Sequence, residues 1–373
     1  MQQRHHRLTS PAPGTTRELV SLHYGTPGAG PKALIQASLH ADEVPPMLVA
    51  HHLRHLLSRL EAEGRLAGEV VLVPVANPLG LSQQLLRQPI GRFDLSSGQN
   101  FNRHYSDLAP RVAELLQQTL GPDGRATLAT ARAAQRQACN ELPRADELAS
   151  LRRTLMELAL DADTVLDLHC DHEAVVHLYT ATPLWPQVAP LAQLLGAPLT
   201  LLATQSGDEP FDEACSMFWP RLAECLGPAG AALPAACVAV TVELRGEADV
   251  DHALAERDAQ AIVDYLAVRG VLNGPVAGDG GSNATARPLA GSQPLVAPHG
   301  GVLVYHARLG AELRAGEPVA EVVDPLTGAS TTLSSPIDGL FYARIARRFV
   351  HAGHTLAKVA GHVAQRQGKL LSA

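Results

Sequence analysis

The chain has 373 residues, of which 46% are hydrophobic and 18% are charged. This length and composition predict a globular protein with a sizeable core, built as one large and one smaller domain or as two ordinary domains. The formal net charge of −7 and the aromatic content of 4% argue against a surface that binds nucleic acid or an anionic membrane.

The chain contains five cysteines, and none of them belongs to a Cys-x-x-Cys pair. An odd number of scattered cysteines suits reduced thiols better than a disulfide framework. The first residues, MQQRHHRLTSPAPG, lack the apolar segment of a secretory signal, and no apolar run is long enough to predict a transmembrane helix. We therefore expect a cytoplasmic protein.

Four segments of the first 272 residues have the character of β-strands. Apolar runs predict buried strands at residues 33–39, 69–80 and 235–246, the second ending in a turn. Residues 162–183 hold two further apolar β-type stretches around a cluster of polar residues. The strands are separated by segments long enough to hold helices.

Three segments predict helices between these strands. Apolar residues recur at helical spacing from Pro45 to Gly64, where a proline pair opens the helix and glycine ends it. Residues 106–160 are rich in Ala, Leu, Arg and Glu, and residues 249–272 form a helical pattern with an acidic first turn. Alternating strands and helices predict an α/β fold with a largely parallel or mixed sheet and helices on both faces.

The amino-acid composition of the sequence changes near the C-terminal end. We predict an α/β domain at residues 1–275, a small and polar linker at 276–293, and a second domain at 294–373. There the short strands of residues 297–322 are echoed by residues 335–359, which predicts a small two-fold β-barrel similar to the biotinyl/lipoyl-like barrel. No lysine stands between the two halves, so we interpret the barrel as a structural unit or a surface for homo-oligomer formation.

His40 and Glu43 follow the first predicted strand and precede the proline pair. A catalytic zinc ion takes three imidazole or carboxylate ligands and keeps one position open. A tight turn between a strand and a helix could aim both side chains at one ion. On its own, the pair is a weak signal, because His-x-x-Glu matches occur by chance and an ordinary surface turn explains most of them.

Two more polar residues stand at the ends of apolar strands. His169 ends the strand that begins at Val165, where Asp167 could orient its ring, and Glu243 ends a strand beside Arg245. A satisfied core histidine and a carboxylate paired with arginine would explain each residue alone. Open α/β sheets place their active sites at the carboxyl ends of strands, and a metal ion with a general base explains all three strand ends together.

A loop rich in glycine and serine lies at residues 87–107 and carries Arg92, Asn102 and Arg103. Arginine binds carboxylates through two parallel hydrogen bonds, and a neighbouring asparagine adds a directional one. The loop is either an ordinary solvated loop or part of a binding site for a carboxylate.

The motifs HADE, NPLG, GQNFNR, DLHCDHEAVVHLYT and ELRG, in this order, resemble the succinylglutamate desuccinylase/aspartoacylase family. That family belongs to the zinc carboxypeptidase-like superfamily, and the resemblance covers roughly residues 30–272. It implies a zinc-carboxypeptidase-like mixed sheet flanked by helices, followed by a small all-β barrel. It also implies one Zn²⁺ per chain.

The resemblance assigns a role to each polar residue singled out above: His40, Glu43 and His169 as zinc ligands, Glu243 as the general base that activates water, Arg92 as the arginine that polarises the oxyanion, and Asn102 and Arg103 as the pair that binds the substrate carboxylate. The implied activity is hydrolysis of the amide bond of a small N-acyl amino acid. A metallocarboxypeptidase that acts on peptide C-termini is one alternative. An inactive binding or scaffold protein is the other.

Overall fold

A computed structural model describes residues 1–120, 124–274 and 284–371. The strands, in chain order, are β1 Gln2–Arg7, β2 Glu18–Gly25, β3 Lys32–Ala37, β4 Glu69–Val73, β5 Gln84–Leu85, β6 Gln88–Pro89, β7 Thr164–Asp171, β8 Glu173–Ala174, β9 His177–Thr180, β10 Leu199–Leu202, β11 Val238–Gly246, β12 Thr285–Pro288, β13 Ser292–Val296, β14 Gly301–Tyr305, β15 Glu312–Leu313, β16 Pro318–Val323, β17 Ser330–Ser334, β18 Gly339–Arg344, β19 Phe349–Val350 and β20 Thr355–Ala360. The helices are α1 Pro45–Ala62, α2 Pro78–Leu81, α3 Ala109–Thr119, α4 Leu128–Glu141, α5 Glu147–Ala159, α6 Trp185–Leu194, α7 Phe211–Ser216, α8 Phe218–Leu226 and α9 His252–Val268.

The largest sheet is mixed and has the order β1-β2-β4-β3-β7-β11-β9-β10-β12. Its neighbouring strands β3, β7 and β11 run parallel to one another. Because the carboxyl ends of parallel strands meet at one edge of a sheet, the polar residues that end these strands converge. The predicted α/β fold class is confirmed.

Helices cover both faces of this sheet. Helices α1, α6 and α9 pack on one face through buried side chains such as Leu53 and Ile262. Helices α3, α4, α5 and α8 pack on the other face, around residues such as Val112 and Leu151. Both faces of the central strands are therefore buried, which explains why these strands are continuous apolar runs in the sequence. No helix in the described part of the chain is both long and apolar enough to span a membrane.

Several predicted elements are shorter in the structure, and two of them have a clear physical reason. The strand predicted at residues 69–80 ends at Val73, because Pro74 has no N–H group to donate to a neighbouring strand. The helix predicted at residues 249–272 begins at His252, where the side chain of Asp251 accepts the backbone N–H of Leu254.

The C-terminal strands form the barrel, which we define as residues 292–360. It contains two antiparallel sheets of four strands each, β13-β20-β18-β15 and β17-β16-β14-β19. In the first repeat β14 pairs with β19 of the second, and β18 of the second pairs with β15 of the first. Gly316 and Gly353 occupy equivalent turns and share a φ of 84°. The internal repeat read from the sequence is therefore a two-fold exchange of strands.

The segment predicted as a linker differs in the structure. Residues 275–283 lie outside the described part of the chain. In the described remainder, β12 pairs in parallel with β10 at the edge of the large sheet, and a short turn at Leu289–Gly291 leads directly into β13. Backbone hydrogen bonds to β10 hold this small polar segment in the sheet. Its sequence has no apolar pattern that would predict a strand.

The barrel also joins the large sheet directly. Strand β8, which follows β7, pairs with β18 of the barrel. Ion pairs reinforce this junction, since Glu173 contacts Arg344 at 2.5 Å and Arg348 at 2.6 Å. Asp171 meets Lys358 of β20 at 2.8 Å. The barrel is thus fixed beside the carboxyl end of β7.

Candidate metal centre

The turn between β3 and α1 holds His40 and Glu43. Ser38 adopts a left-handed backbone with φ of 60°, and its hydroxyl donates to the carbonyl of Glu43 at 2.6 Å. The backbone N–H of Glu43 donates in turn to the carbonyl of His40 at 3.1 Å. This compact turn directs both side chains toward the end of β7.

His40, Glu43 and His169 form one buried cluster. Oε1 of Glu43 lies 2.8 Å from Nδ1 of His40, and Oε2 lies 2.7 Å from Nδ1 of His169. The three side chains are at most 6% exposed. Among the described residues this is the only group of three or more His, Cys, Asp or Glu whose ligand atoms all lie within 4.8 Å of one another.

The outer nitrogens of both rings face polar partners. Nε2 of His40 lies 2.9 Å from Oδ1 of Asn100. That oxygen also accepts the backbone N–H of Asn102, so it is an acceptor and the proton of His40 is on Nε2. Nε2 of His169 lies 3.1 Å from Oδ2 of Asp167. These contacts turn Nδ1 of each ring toward the centre of the cluster, the arrangement in which histidine binds a metal ion.

The electrostatics of the cluster favour a cation. Burial, and after it the charge of Arg92, lowers the pKa of His40 to about 4, so this imidazole is neutral and able to act as a ligand. Burial alone would lower the pKa of His169, but Asp167 and Glu43 raise it well above its ordinary value. This rise reports a strong negative potential at the end of β7.

Glu243 stands beside the cluster on β11, in register with His169 of β7. Burial and then the charge of Glu43 raise the pKa of Glu243 to about 8. Its Oε2 atom is buried and has no hydrogen-bond partner in the described structure. A register shift between Glu243 and Gly246 ends the regular pairing here, and Arg245 takes a φ of 68° within it. Arg245 pairs with Asp258 of α9, which leaves Glu243 outside that ion pair.

Arg92 reaches the same cluster from the loop. One of its Nη1 N–H groups points to Nδ1 of His40 at 3.1 Å, and Nη1 lies 3.4 Å from Glu43. Gly91 permits this approach, because a Cβ atom there would lie 2.0 Å from the backbone nitrogen of Asp42. The sequence could place Arg92 only on a loop, and the structure brings it to the pocket wall.

Asn102 and Arg103 also line this pocket. Oδ1 of Asn102 accepts the backbone N–H of Phe211 at 2.9 Å, and its Nδ2 lies 3.3 Å from Nε2 of His169. Nη1 of Arg103 donates to the carbonyl of Asn102 at 2.7 Å. Asn102 is therefore held against the cluster by its own contacts, and Arg103 extends the wall beyond it.

The pocket around these residues has a volume of about 250 Å³. The large sheet and the loop supply one side of its wall, and the barrel supplies the other. The barrel residues include Ala343, Arg344, Ile345, Leu356 and Lys358. The barrel thus forms part of the pocket, a role that no motif in its sequence indicates.

Several polar residues of the site carried no sequence signal that assigned them a role. Asn100 lies within the GQNFNR motif but differs in no visible way from an ordinary loop asparagine. Gln36 donates to Asp167 at 2.9 Å from the neighbouring strand β3. Asp212 lies on α7, where burial, and after it the charge of Glu213, raises its pKa to about 7.

The cluster fits a catalytic metal ion on the chemistry of its donors. Two imidazole nitrogens and one carboxylate are the donor set of catalytic zinc sites, which keep a further position open. His40 and His169 would bind through Nδ1, and Glu43 through its carboxylate. The nearby Oε2 atom of Glu243 has no hydrogen-bond partner among the described residues. This is expected of a carboxylate that contacts water or substrate.

Comparison with known proteins bears on this geometry. The family model of the succinylglutamate desuccinylase/aspartoacylase catalytic domain matches residues 29–269. A solved family protein from Shewanella amazonensis is 30% identical, has a TM-score of 0.81 and covers 96% of this chain and 98% of its own. One from Shewanella frigidimarina is 27% identical, has a TM-score of 0.83 and covers 96% of each chain.

The product-bound ectoine utilization protein EutE (DoeB) from Ruegeria pomeroyi is 16% identical, with a TM-score of 0.68 and coverage of 96% and 94%. At that identity the likeness concerns the fold alone. No curated protein sequence matches this chain.

Proposed function

The chain belongs to the succinylglutamate desuccinylase/aspartoacylase family, and we propose that it is a zinc-dependent deacylase that cleaves a small N-acyl amino acid. The observation that carries the proposal is the convergence of His40, Glu43 and His169 with Glu243 on one pocket. A metal-dependent hydrolase needs a set of metal ligands and a nearby carboxylate that can accept a proton. The cluster and Glu243, whose Oε2 atom has no hydrogen-bond partner among the described residues, match this need.

His40, Glu43 and His169 would hold the zinc ion. When bound, zinc supplies a Lewis acid that polarises a carbonyl group and lowers the pKa of water toward about 7. Asn100 and Asp167 fix the orientation of the two rings from behind. Orientation of this kind keeps both lone pairs aimed at the ion.

Glu243 would act as the general base. Its carboxylate takes a proton from the attacking water and returns that proton to the leaving amine. A carboxyl group with a pKa raised to about 8 can both accept and donate a proton near neutral pH. General acid–base catalysis of this kind typically contributes about 100- to 10,000-fold to the rate.

Two arginines would act on the substrate, one at the reacting carbonyl group and one at the carboxylate. Arg92, which lies 3.1 Å from Nδ1 of His40, would stabilise negative charge on the carbonyl oxygen, a contribution worth about 3–4 kcal/mol for one well-aimed donor. Arg103, which also lines the pocket, would bind the substrate α-carboxylate together with Asn102. Holding that carboxylate turns binding energy into orientation of the scissile amide.

The pocket supports a small substrate over a peptide. Its volume of about 250 Å³ is bounded by residues of the barrel as well as the large sheet. A metallocarboxypeptidase would need room for the chain that precedes the scissile bond. The intact set of ligands and base also argues against an inactive scaffold.

A panel of substrates tests the proposal. Zinc-loaded protein is offered N-acetyl, N-succinyl and N-formyl amino acids, their α-carboxamides, and dipeptides and tripeptides, and release of the free amine is measured. We expect hydrolysis of N-acyl amino acids that carry a free α-carboxylate, and little hydrolysis of carboxamides or peptides. Preference for peptides would establish the carboxypeptidase instead, and turnover of none would favour a scaffold.

Arg103→Ala sharpens the same experiment. Loss of one charge-assisted contact costs about 1.5–3 kcal/mol, so kcat/KM on the acid should fall roughly 10- to 150-fold and change little on the carboxamide. Arg221→Ala is the matched control, since Arg221 lies on α8 and contacts Asp107 instead of the pocket. Equal losses on both substrates would mean that Arg103 supports the loop.

A further inference from the structure

Four histidines meet on the surface formed by α1 and α9. His51, His52 and His55 belong to α1, and His252 is the first residue of α9. We call this group the histidine patch. It shares no residue with the metal cluster, and the proposed deacylase activity gives it no role.

The spacing along α1 explains half of the patch. Val49, Leu53 and Leu57 of α1 face the core, so His51 and His55 lie on the opposite, exposed side. Residues four apart are neighbours on a helix surface, and the two rings are 4.7 Å apart between centroids. Two histidines at this spacing on one helix face are a recurrent pair of metal ligands.

Packing of α9 against α1 supplies the other half. The centroids of His52 and His252 lie 5.3 Å apart, and Nε2 of His52 is 3.0 Å from Nδ1 of His252. His51 connects the two halves, since its ring is 5.4 Å from that of His52 and 6.4 Å from that of His252. Four imidazoles from two helices therefore share one patch.

We propose that the histidine patch is a second metal site, which takes a borderline transition-metal ion such as Zn²⁺, Ni²⁺ or Cu²⁺ and ties α1 to α9. Imidazole suits these ions, whereas the absence of any carboxylate among the four members argues against Mg²⁺ and Ca²⁺. The rings of His51 and His55 are exposed, so they can rotate about χ1 and χ2 to converge on an ion.

The charge state of His51 agrees with this assignment. Slight burial, followed by the charges of His55, His52, His252 and Arg54, lowers the pKa of His51. A neutral imidazole keeps the lone pair that a metal ion needs. Arg54 opposes a cation nearby, and a neutral His51 adds no positive charge of its own.

Metal titration of the full chain tests the second site. Zn²⁺ and Ni²⁺ are titrated by equilibrium dialysis into wild type and His51→Asn/His55→Asn, after removal of metal with a chelator. We expect two classes of site in wild type, and loss of the weaker class alone in the double variant. His351→Asn/His354→Asn is the matched control, because those rings form another exposed pair, 5.2 Å apart, on the barrel.

Thermal unfolding gives an independent readout. An ion that binds only the folded protein raises its melting temperature, so excess Zn²⁺ should raise that of wild type and of the control further than that of the double variant. His252→Gln should weaken metal binding at the second class of site, while His51 and His55 of α1 stay in place. Retention of the second class in His51→Asn/His55→Asn would overturn the site, as would a single class in wild type. Neither result depends on the deacylase activity.

Discussion

Glu43 is the residue on which the candidate centre is built. Its two carboxylate oxygens contact Nδ1 of His40 and of His169, and Oε2 also accepts the backbone N–H of Cys170 at 3.2 Å. Burial alone would raise the pKa of Glu43, but the two imidazoles hold it below its usual range. One carboxylate thus joins the turn after β3 to the end of β7.

Glu243 offers the sharpest test at this scale. Glu243→Gln keeps the shape of the side chain and removes its ability to accept a proton. We expect kcat to fall by about 100-fold or more while zinc content and KM change little. Steady-state kinetics and elemental analysis of the same preparation measure both.

The control for this variant is Glu247→Gln. Glu247 lies beyond the end of β11 and contacts His172 at 2.9 Å, outside the cluster. It should leave kcat nearly unchanged. Ordinary turnover of Glu243→Gln would remove the general-base role, and loss of zinc from it would make Glu243 a ligand.

Two residues of the site could be singled out in the sequence because each breaks an apolar pattern. His169 and Glu243 end runs that are otherwise hydrophobic, and polar side chains at such positions need a reason. Asn100 and Gln36 could not be predicted, because their role is to contact another side chain across the fold. Lys358 lies far along the chain in the barrel and reaches the site only through tertiary packing.

Strand order explains why three separate motifs meet. Adjacent parallel strands β3, β7 and β11 bring their carboxyl ends together. The alternation of strands and helices predicted a largely parallel or mixed sheet, but not this order of the strands. The strands β2 and β10 were not predicted, because β2 contains Ser21 and His23 and β10 is only four residues long. Short or mixed strands are defined by their neighbours in the sheet more than by their own composition.

The end of β18 offers a test of the pocket wall. Ile345 follows this strand and lines the pocket from the barrel side. Ile345→Ala should widen the pocket, so kcat/KM for an N-benzoyl amino acid should rise about tenfold relative to that for its N-acetyl counterpart. Competition between the two substrates measures the ratio directly.

Ile337→Ala is the matched control for this change. Ile337 is a half-buried isoleucine of the same barrel, and it packs on the cluster around Phe341 and Val359 instead of the pocket. Its truncation should lower stability without changing the ratio of the two substrates. An equal shift of the ratio in both variants would mean that the barrel acts through stability and not through the wall.

At the scale of the whole molecule, the large sheet and the barrel share the pocket. A buried cluster joins Leu199 and Leu201 of β10 to Leu340 and Tyr342 of β18. Removal of the barrel would expose that surface, so substitutions in its wall are cleaner tests than truncation. The division into two domains, a homo-oligomer formed through the barrel and a cytoplasmic location stay predictions.

The central claim is that His40, Glu43 and His169 hold the zinc ion, and anomalous X-ray diffraction at the zinc absorption edge tests it most directly. Crystals of the full chain grown with Zn²⁺ should show an anomalous peak between Nδ1 of His40, Nδ1 of His169 and the carboxylate of Glu43. Ligand distances should be about 2.0–2.2 Å. A zinc-supplied crystal with no anomalous peak at this cluster would contradict the account.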